Sequence, residues 1–255
     1  MRRFVLPIFA LILLLPLGFF AVQIGWMQLN PAMPGAAASA ALESGDGVEV
    51  SYDHPWLVFA PRGELPTTGV ILYPGANCDV RGYAPLLRAL AEAGYLSVGM
   101  QMPLRLALFR PDAAAEVPSA FPQIRRWIAL GHSMGGGTIS AYAQDYPERL
   151  AGAILLDAYP LEGGSLANSP LPVWHIHRAR LDGSPPDKHV AHRDRFPADA
   201  IWVPIRGGSH MQFGSFAGGT YKEDWEAQIG EAEQLREVEA AVLRAAFAIA
   251  PPGDH

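Results

Sequence analysis

Nine residues near the middle of the chain restrict its fold more than any other stretch: Ala129-Leu130-Gly131-His132-Ser133-Met134-Gly135-Gly136-Gly137. The apolar run 126–130 before it suits a buried strand. Residues 138–143 after it are helix-compatible and end near Pro147. Gly131-His132-Ser133-Met134-Gly135 fits G-x-S-x-G, a sharp strand-to-helix turn. A serine on so tight a turn has strained backbone angles, and side chains at the flanking positions would collide with strand and helix backbone. The turn lifts the Ser133 hydroxyl clear of the sheet. It also sets the Met134 N–H at a helix N-terminus, where it can donate to an oxyanion.

The elements around this turn read as alternating strands and helices. Residues 48–52 and 56–60 suit an opening pair of strands, and 69–73 is a continuous apolar run expected of a strand covered on both faces. A helical stripe over 83–93 ends at Gly94, and 95–100 is the next strand. Strand–helix–strand is the unit of a parallel sheet. Residues 103–122 are less regular, with a short helix expected within 112–117. Strands follow at 152–156, 172–177 and 200–205, and 223–250 reads as a long amphipathic helix. The expected fold is α/β, a doubly wound, mostly parallel sheet flanked by helices, with no large lid.

Ahead of this domain, placed at 47–250, lie two further segments. Residues 1–29 contain Arg2 and Arg3 and then nineteen uncharged residues, Phe4 to Val22, long enough to span a bilayer. A membrane anchor is preferred over a secretory signal peptide, because the Ala-rich segment 36–41 lies too far beyond the apolar run to be a cleavage region. Trp26 suits the membrane interface, and the basic start holds the N-terminus inside. The expectation is a single-pass protein of the cell membrane with its catalytic domain outside the cytoplasm; the alternative is a secreted or periplasmic protein. Residues 30–46, rich in Pro, Ala, Gly and Ser, read as a linker.

The net charge is −6 and no basic patch exists, which argues against nucleic acid as a partner. The single cysteine, Cys78, excludes an intrachain disulfide and a cysteine-based zinc site, and reads as a small packed residue. Nothing in the sequence fixes an oligomeric state.

A serine hydroxyl needs a base, and the base needs an orienting group. In this architecture they follow in the order serine, acid, histidine. His210, in the glycine-rich loop after the last strand, is the expected base. Two residues compete for the acid. Asp182, in an Asp-Gly turn after the strand that ends near His177, is preferred; Asp157, closing the strand after the turn's helix, is the alternative. The second oxyanion donor should come from the loop after residues 69–73, with the Ala76 N–H the best candidate. His132 is too close in sequence to Ser133 to be the base. His175 and His177 alternate on one strand face and His189 and His192 follow, but a metal site is not expected there: the stretch 187–195 reads as a solvated helix. Tyr73, Phe213 and Phe216 fit an acyl pocket or the core equally well.

Tyr73-Pro74-Gly75-Ala76, Tyr83-Ala84-Pro85-Leu86, Ala91 to Tyr95, Met102-Pro103-Leu104, Gly131 to Gly136, Ala158-Tyr159-Pro160 and Gly208-Ser209-His210-Met211-Gln212-Phe213-Gly214 together resemble the α/β-hydrolase superfamily. Within it they resemble the compact "alpha/beta hydrolase fold-5" family, over roughly residues 48–250. The resemblance implies a hydrolase whose nucleophile, acid and base fall on Ser133, Asp182 and His210. Asp157 departs from the pattern, since similar sequences usually carry a small uncharged residue there.

The expected activity is hydrolysis of a carboxylic ester or related acyl bond through an acyl-enzyme, on a small-molecule substrate and without a cofactor. A serine nucleophile argues against the Asp-dependent dehalogenase and epoxide routes and the Cys-dependent lactone route. The alternatives are acyl transfer on the same triad and a non-catalytic, membrane-tethered binding module.

Overall fold

A computed structural model describes Gly18 and residues 22–45, 47–53, 55–63 and 65–253. Among the described residues, ten strands are arranged in two sheets: β1 (Ala32–Pro34), β2 (Val48–Asp53), β3 (Trp56–Pro61), β4 (Thr68–Tyr73), β5 (Leu96–Met100), β6 (Arg126–His132), β7 (Gly152–Leu156), β8 (Val173–Ala179), β9 (Ile201–Arg206) and β10 (Phe216–Gly218). Eight of them form one sheet in the order β2-β3-β5-β4-β6-β7-β8-β9. β2 and β3 make an antiparallel hairpin, β3 pairs antiparallel with β5, and every pairing from β5 to β9 is parallel.

The central strands have no solvated face. All six residues of β4 and all five of β5 and β7 are buried. One core, on the side of helices Ala84–Glu92 and Glu231–Ile249, collects Leu72, Leu87, Leu130 and Val242; the other, under helix Met134–Asp145, collects Ile71, Tyr73, Ala129 and Ile139. Alternate residues of β4 and β6 thus feed opposite layers, as a two-sided pleat requires. Each fully buried aliphatic side chain contributes about 1.5–3 kcal/mol, so the sheet is a rigid base for the loops at its edges.

Over its described residues, 30–45, the expected linker is instead folded. β1 pairs with β10, Ala32 N–H donates to the Asn77 carbonyl at 3.0 Å, and helix Ala36–Ala41 buries Ala38 completely. The composition misleads because alanine is the strongest helix former and its small side chain permits close packing. The long C-terminal helix begins at Glu231 rather than 223. Residues 223–230 are held as a loop: the Trp225 indole N–H donates to the Gly208 carbonyl and the Gln228 N–H to the Gly207 carbonyl.

The anchor expected at the N-terminus rests almost entirely on residues outside the described ones. Among the described residues, no helix is long and apolar enough to cross a membrane.

Candidate active site

Every parallel strand ends at the same edge of the sheet, so the loops that follow β4, β6, β7 and β9 converge there. Ser133 follows β6 directly with φ 52° and ψ −124°, a conformation costly for a residue with a Cβ. The glycines explain how it persists. A Cβ on Gly135 would stand 2.2 Å from the Tyr73 carbonyl oxygen and 2.4 Å from that of Pro74. Gly135→Ala is therefore expected to push the turn off β4, destabilising the fold by about 1–3 kcal/mol and lowering kcat/KM by about 100-fold through misplacement of Ser133. Thermal melting beside ester turnover checks both effects.

His210 lies in the loop after β9 and is 3 % exposed. Its Nε2 is 2.9 Å from Ser133 Oγ, and its Nδ1 is 2.5 Å from Asp157 Oδ2. A carboxylate only accepts hydrogen bonds, so Nδ1 carries the proton and Nε2 presents its lone pair to the Ser133 hydroxyl. Glu223 fixes the loop from behind: its two carboxylate oxygens accept the N–H groups of His210 and Met211, each at 2.9 Å. Tyr221 stacks on the imidazole with ring centroids 4.0 Å apart.

The carboxylate that meets His210 is not the one the sequence favours. Asp182 is fully exposed, and its carboxylate accepts from the backbone N–H and hydroxyl of Ser184, holding it below the usual carboxylate range. It is an Asx-type turn residue. Asp157, the alternative, closes β7 with φ 43° and is buried. The Arg178 backbone N–H donates to Asp157 Oδ1 at 3.2 Å, and the buried Arg178 guanidinium pairs with Oδ2. Burial opposes charge on Asp157, but the hydrogen bond from His210 and the charges of His210, His189 and Arg178 outweigh it, so its pKa is depressed far below the ordinary range. Arg178 also pairs with Asp224 and lies over the Trp225 ring.

A second buried chain links the turn to both neighbouring loops. The Gly75 N–H donates to Tyr83 Oη at 2.9 Å, the Tyr83 hydroxyl donates to His132 Nδ1 at 2.7 Å, and His132 Nε2 donates to the His210 carbonyl at 3.1 Å. The proton positions follow because that carbonyl can only accept. His132 is therefore a buried neutral imidazole, its pKa driven well down first by burial and then by the charge of His210.

The cavity beside Ser133 is about 140 Å3 and is lined by Met134, Gly137, Ala158, Tyr159, Leu161 and Tyr221, with Lys188 at its rim. On the other side of Tyr221 lies a cavity of about 240 Å3, with Met27, Ala32, Ala76 and Met211 among its lining. Tyr73, Phe213 and Phe216 line neither. Tyr73 and Phe213 are fully buried, and the Tyr73 hydroxyl donates to the Pro111 carbonyl. Cys78 is buried as well, its thiol pushed up to about 12 by desolvation.

His189 departs from the solvated helix expected of 187–195, because its side chain is completely buried. It packs with His175 at 4.9 Å between ring centroids and lies 3.7 Å from Asp157 Oδ1. Among the described residues, neither imidazole has a hydrogen-bond partner, and no group of three His, Cys, Asp or Glu side chains is arranged to hold a metal ion. Burial lowers the pKa of His175 strongly and that of His189 to about 4. In the unfolded chain both titrate near 6.5. Their contribution is thus full above pH ~6.5 and is lost as pH falls toward the folded values, because the unfolded state then binds more protons. The melting temperature is expected to drop between pH 7.5 and 5, and His175→Phe to flatten that drop. An unchanged slope in the variant would assign the pH dependence elsewhere.

The alpha/beta hydrolase family profile matches residues 69–236, and the chain belongs to that family. No curated protein matched the chain by sequence. Among solved structures, naproxen esterase from Bacillus subtilis is similar at a TM-score of 0.56 and 12 % identity, covering 82 % of this chain and 94 % of its own. A soluble variant of monoglyceride lipase from Saccharomyces cerevisiae gives 0.54 and 14 %, covering 81 % and 94 %. A bacterial membrane phospholipase A gives 0.54 and 14 %, covering 96 % and 99 %. At these identities the likeness is one of fold.

Proposed function

We propose that the protein is a serine hydrolase that cleaves a carboxylic ester through an acyl-enzyme, with Ser133 as nucleophile, His210 as base and Asp157 as acid. The observation that carries this reading is the continuous hydrogen-bonded chain from Ser133 Oγ through His210 to the buried, ionised Asp157. His210 Nε2 takes the hydroxyl proton as Ser133 attacks the ester carbonyl, and Asp157 stabilises the imidazolium that forms. The backbone N–H groups of Met134 and Ala76 are the proposed oxyanion donors; one such donor is typically worth about 2.7–4 kcal/mol in the transition state. The proton then passes from His210 to the leaving alkoxide, and the alcohol departs. Water, deprotonated by His210, cleaves the acyl-enzyme and regenerates the serine.

The esterase and lipases among the structural neighbours support an ester substrate. Pre-steady-state hydrolysis of p-nitrophenyl butyrate tests the proposal. The expected result is a burst of p-nitrophenol, up to one equivalent when deacylation limits turnover, with a butyryl group trapped on the Ser133 peptide at low pH. Turnover without an acylated Ser133 would refute it. We further propose that the run Phe4 to Val22 tethers the domain to a membrane on its extracytoplasmic side. Retention of the chain in the membrane fraction after alkaline carbonate washing checks the tether.

A further inference from the structure

The large apolar side chains left exposed are gathered at the catalytic edge of the sheet. Leu104, Leu108 and Phe109, on the connection between β5 and β6, are 52 %, 52 % and 46 % exposed. Residues 22–29 are helical, and Val22, Trp26 and Leu29 recur on one side of that helix at spacings of four and three, each more than half exposed. Leu161, Leu181 and Val190 extend the set on the loops after β7 and β8. Among the described residues, Leu65, Ile201 and Phe247 are the exposed large apolar side chains well away from this edge. Single apolar residues scattered over a surface need no explanation, but a set gathered at one end does.

The helix is fastened to this edge. Gln28 Nε2 donates to the Leu104 carbonyl at 2.8 Å, Arg105 Nη1 to Gln28 Oε1 at 2.8 Å, and Asn77 Nδ2 to the Met27 carbonyl at 2.6 Å. Leu104 and Arg105 have φ of 50° and 55°, left-handed values that cost about 1–3 kcal/mol each for residues with a Cβ. The hydrogen bonds to the Leu104 and Arg105 carbonyls hold this turn, with the Leu104 side chain half exposed.

We propose that this face docks on a lipid bilayer, so that an ester carried in the membrane reaches Ser133 directly from the lipid. The bilayer is chosen over a second protein by the chain itself: nineteen uncharged residues, Phe4 to Val22, run in sequence into the fastened helical residues 22–29. A tether leaving from this face keeps the face at the membrane surface. Met27, on the fastened helix, and Ala76 line one and the same cavity, together with Ala32 and Met211. The proposal rests on the tether stated above and adds the orientation of the domain.

The test uses the full chain in phosphatidylcholine vesicles. A polarity-sensitive nitrobenzoxadiazole probe is attached at Leu104→Cys, at Leu108→Cys and, as a reference, at Leu65→Cys; Cys78 is buried and stays unlabelled. Circular dichroism establishes that each variant is folded. The expected result is a blue-shifted probe at 104 and 108, quenched at least threefold more strongly by nitroxide-labelled lipid than the probe at 65. Vesicle-bound protein with equal quenching at all three positions would overturn the docking face and leave the tether standing. Protein that does not float with the vesicles would overturn both.

Discussion

Ser133→Ala is expected to lower kcat by about 10⁶-fold with little change in KM, the cost typical of removing a nucleophile from a triad that works as one unit. Among the described residues, the Ser133 hydroxyl has one hydrogen-bond partner, His210 Nε2, to which it donates, so its loss leaves no buried charge unpaired. Alanine tolerates the positive φ no better and no worse than serine, and the melting temperature should move little. The residual rate would come from substrate binding and the oxyanion donors alone. Steady-state hydrolysis of p-nitrophenyl esters measures the loss, and an Ser133→Ala enzyme within 100-fold of the parent would remove Ser133 from the mechanism.

Asp157→Asn is expected to cost about 10⁴-fold in kcat, because the amide permits the wrong His210 tautomer and no longer stabilises the imidazolium. Asp182→Asn should leave kcat within twofold, since Asp182 faces solvent and its hydrogen bonds go to Ser184 in its own turn. Asp157→Asn also leaves the buried Arg178 guanidinium with Asp224 as its remaining carboxylate. Breaking a buried pair of this kind typically costs about 3–5 kcal/mol. Turnover must therefore be read well below the variant's melting temperature. A folded Asp157→Asn protein with near-normal kcat, or an Asp182→Asn protein with a large loss, would reverse the assignment of the acid.

The parts of this arrangement visible in the sequence are those set by local chemistry. G-x-S-x-G marks the turn because glycine alone fits between β6, its helix and the Tyr73 and Pro74 carbonyls. Continuous apolar runs mark β4 to β7 because those strands are covered on both faces. His210 is legible from its loop and its order in the chain. The acid was not, because both candidates close or follow a strand at the catalytic edge, and the choice depends on which carboxylate meets the imidazole across 53 positions of sequence. The unusual charge at 157 was nevertheless a signal, and its counter-ion Arg178 sits beside β8's histidines with no local pattern to announce it. Tyr221 and Glu223 are equally silent in the sequence, since Glu223 reads as the start of a helix and no local pattern brings either residue onto His210. The alanine-rich segment 36–41 reads as linker for a related reason: its helix depends on packing against helix Ala84–Glu92 that composition does not reveal.

The most direct test of the account is to label the intact chain with a fluorophosphonate and locate the adduct by peptide mass spectrometry. Attack by an activated serine forms an O–P bond and expels fluoride, so a serine with no base beside it reacts negligibly. The account predicts one adduct, on Ser133, with labelling strongly slowed in His210→Ala. A folded protein that takes up no label, or takes it up at another residue, would contradict the assignment of Ser133 as an activated nucleophile and with it the proposed hydrolysis.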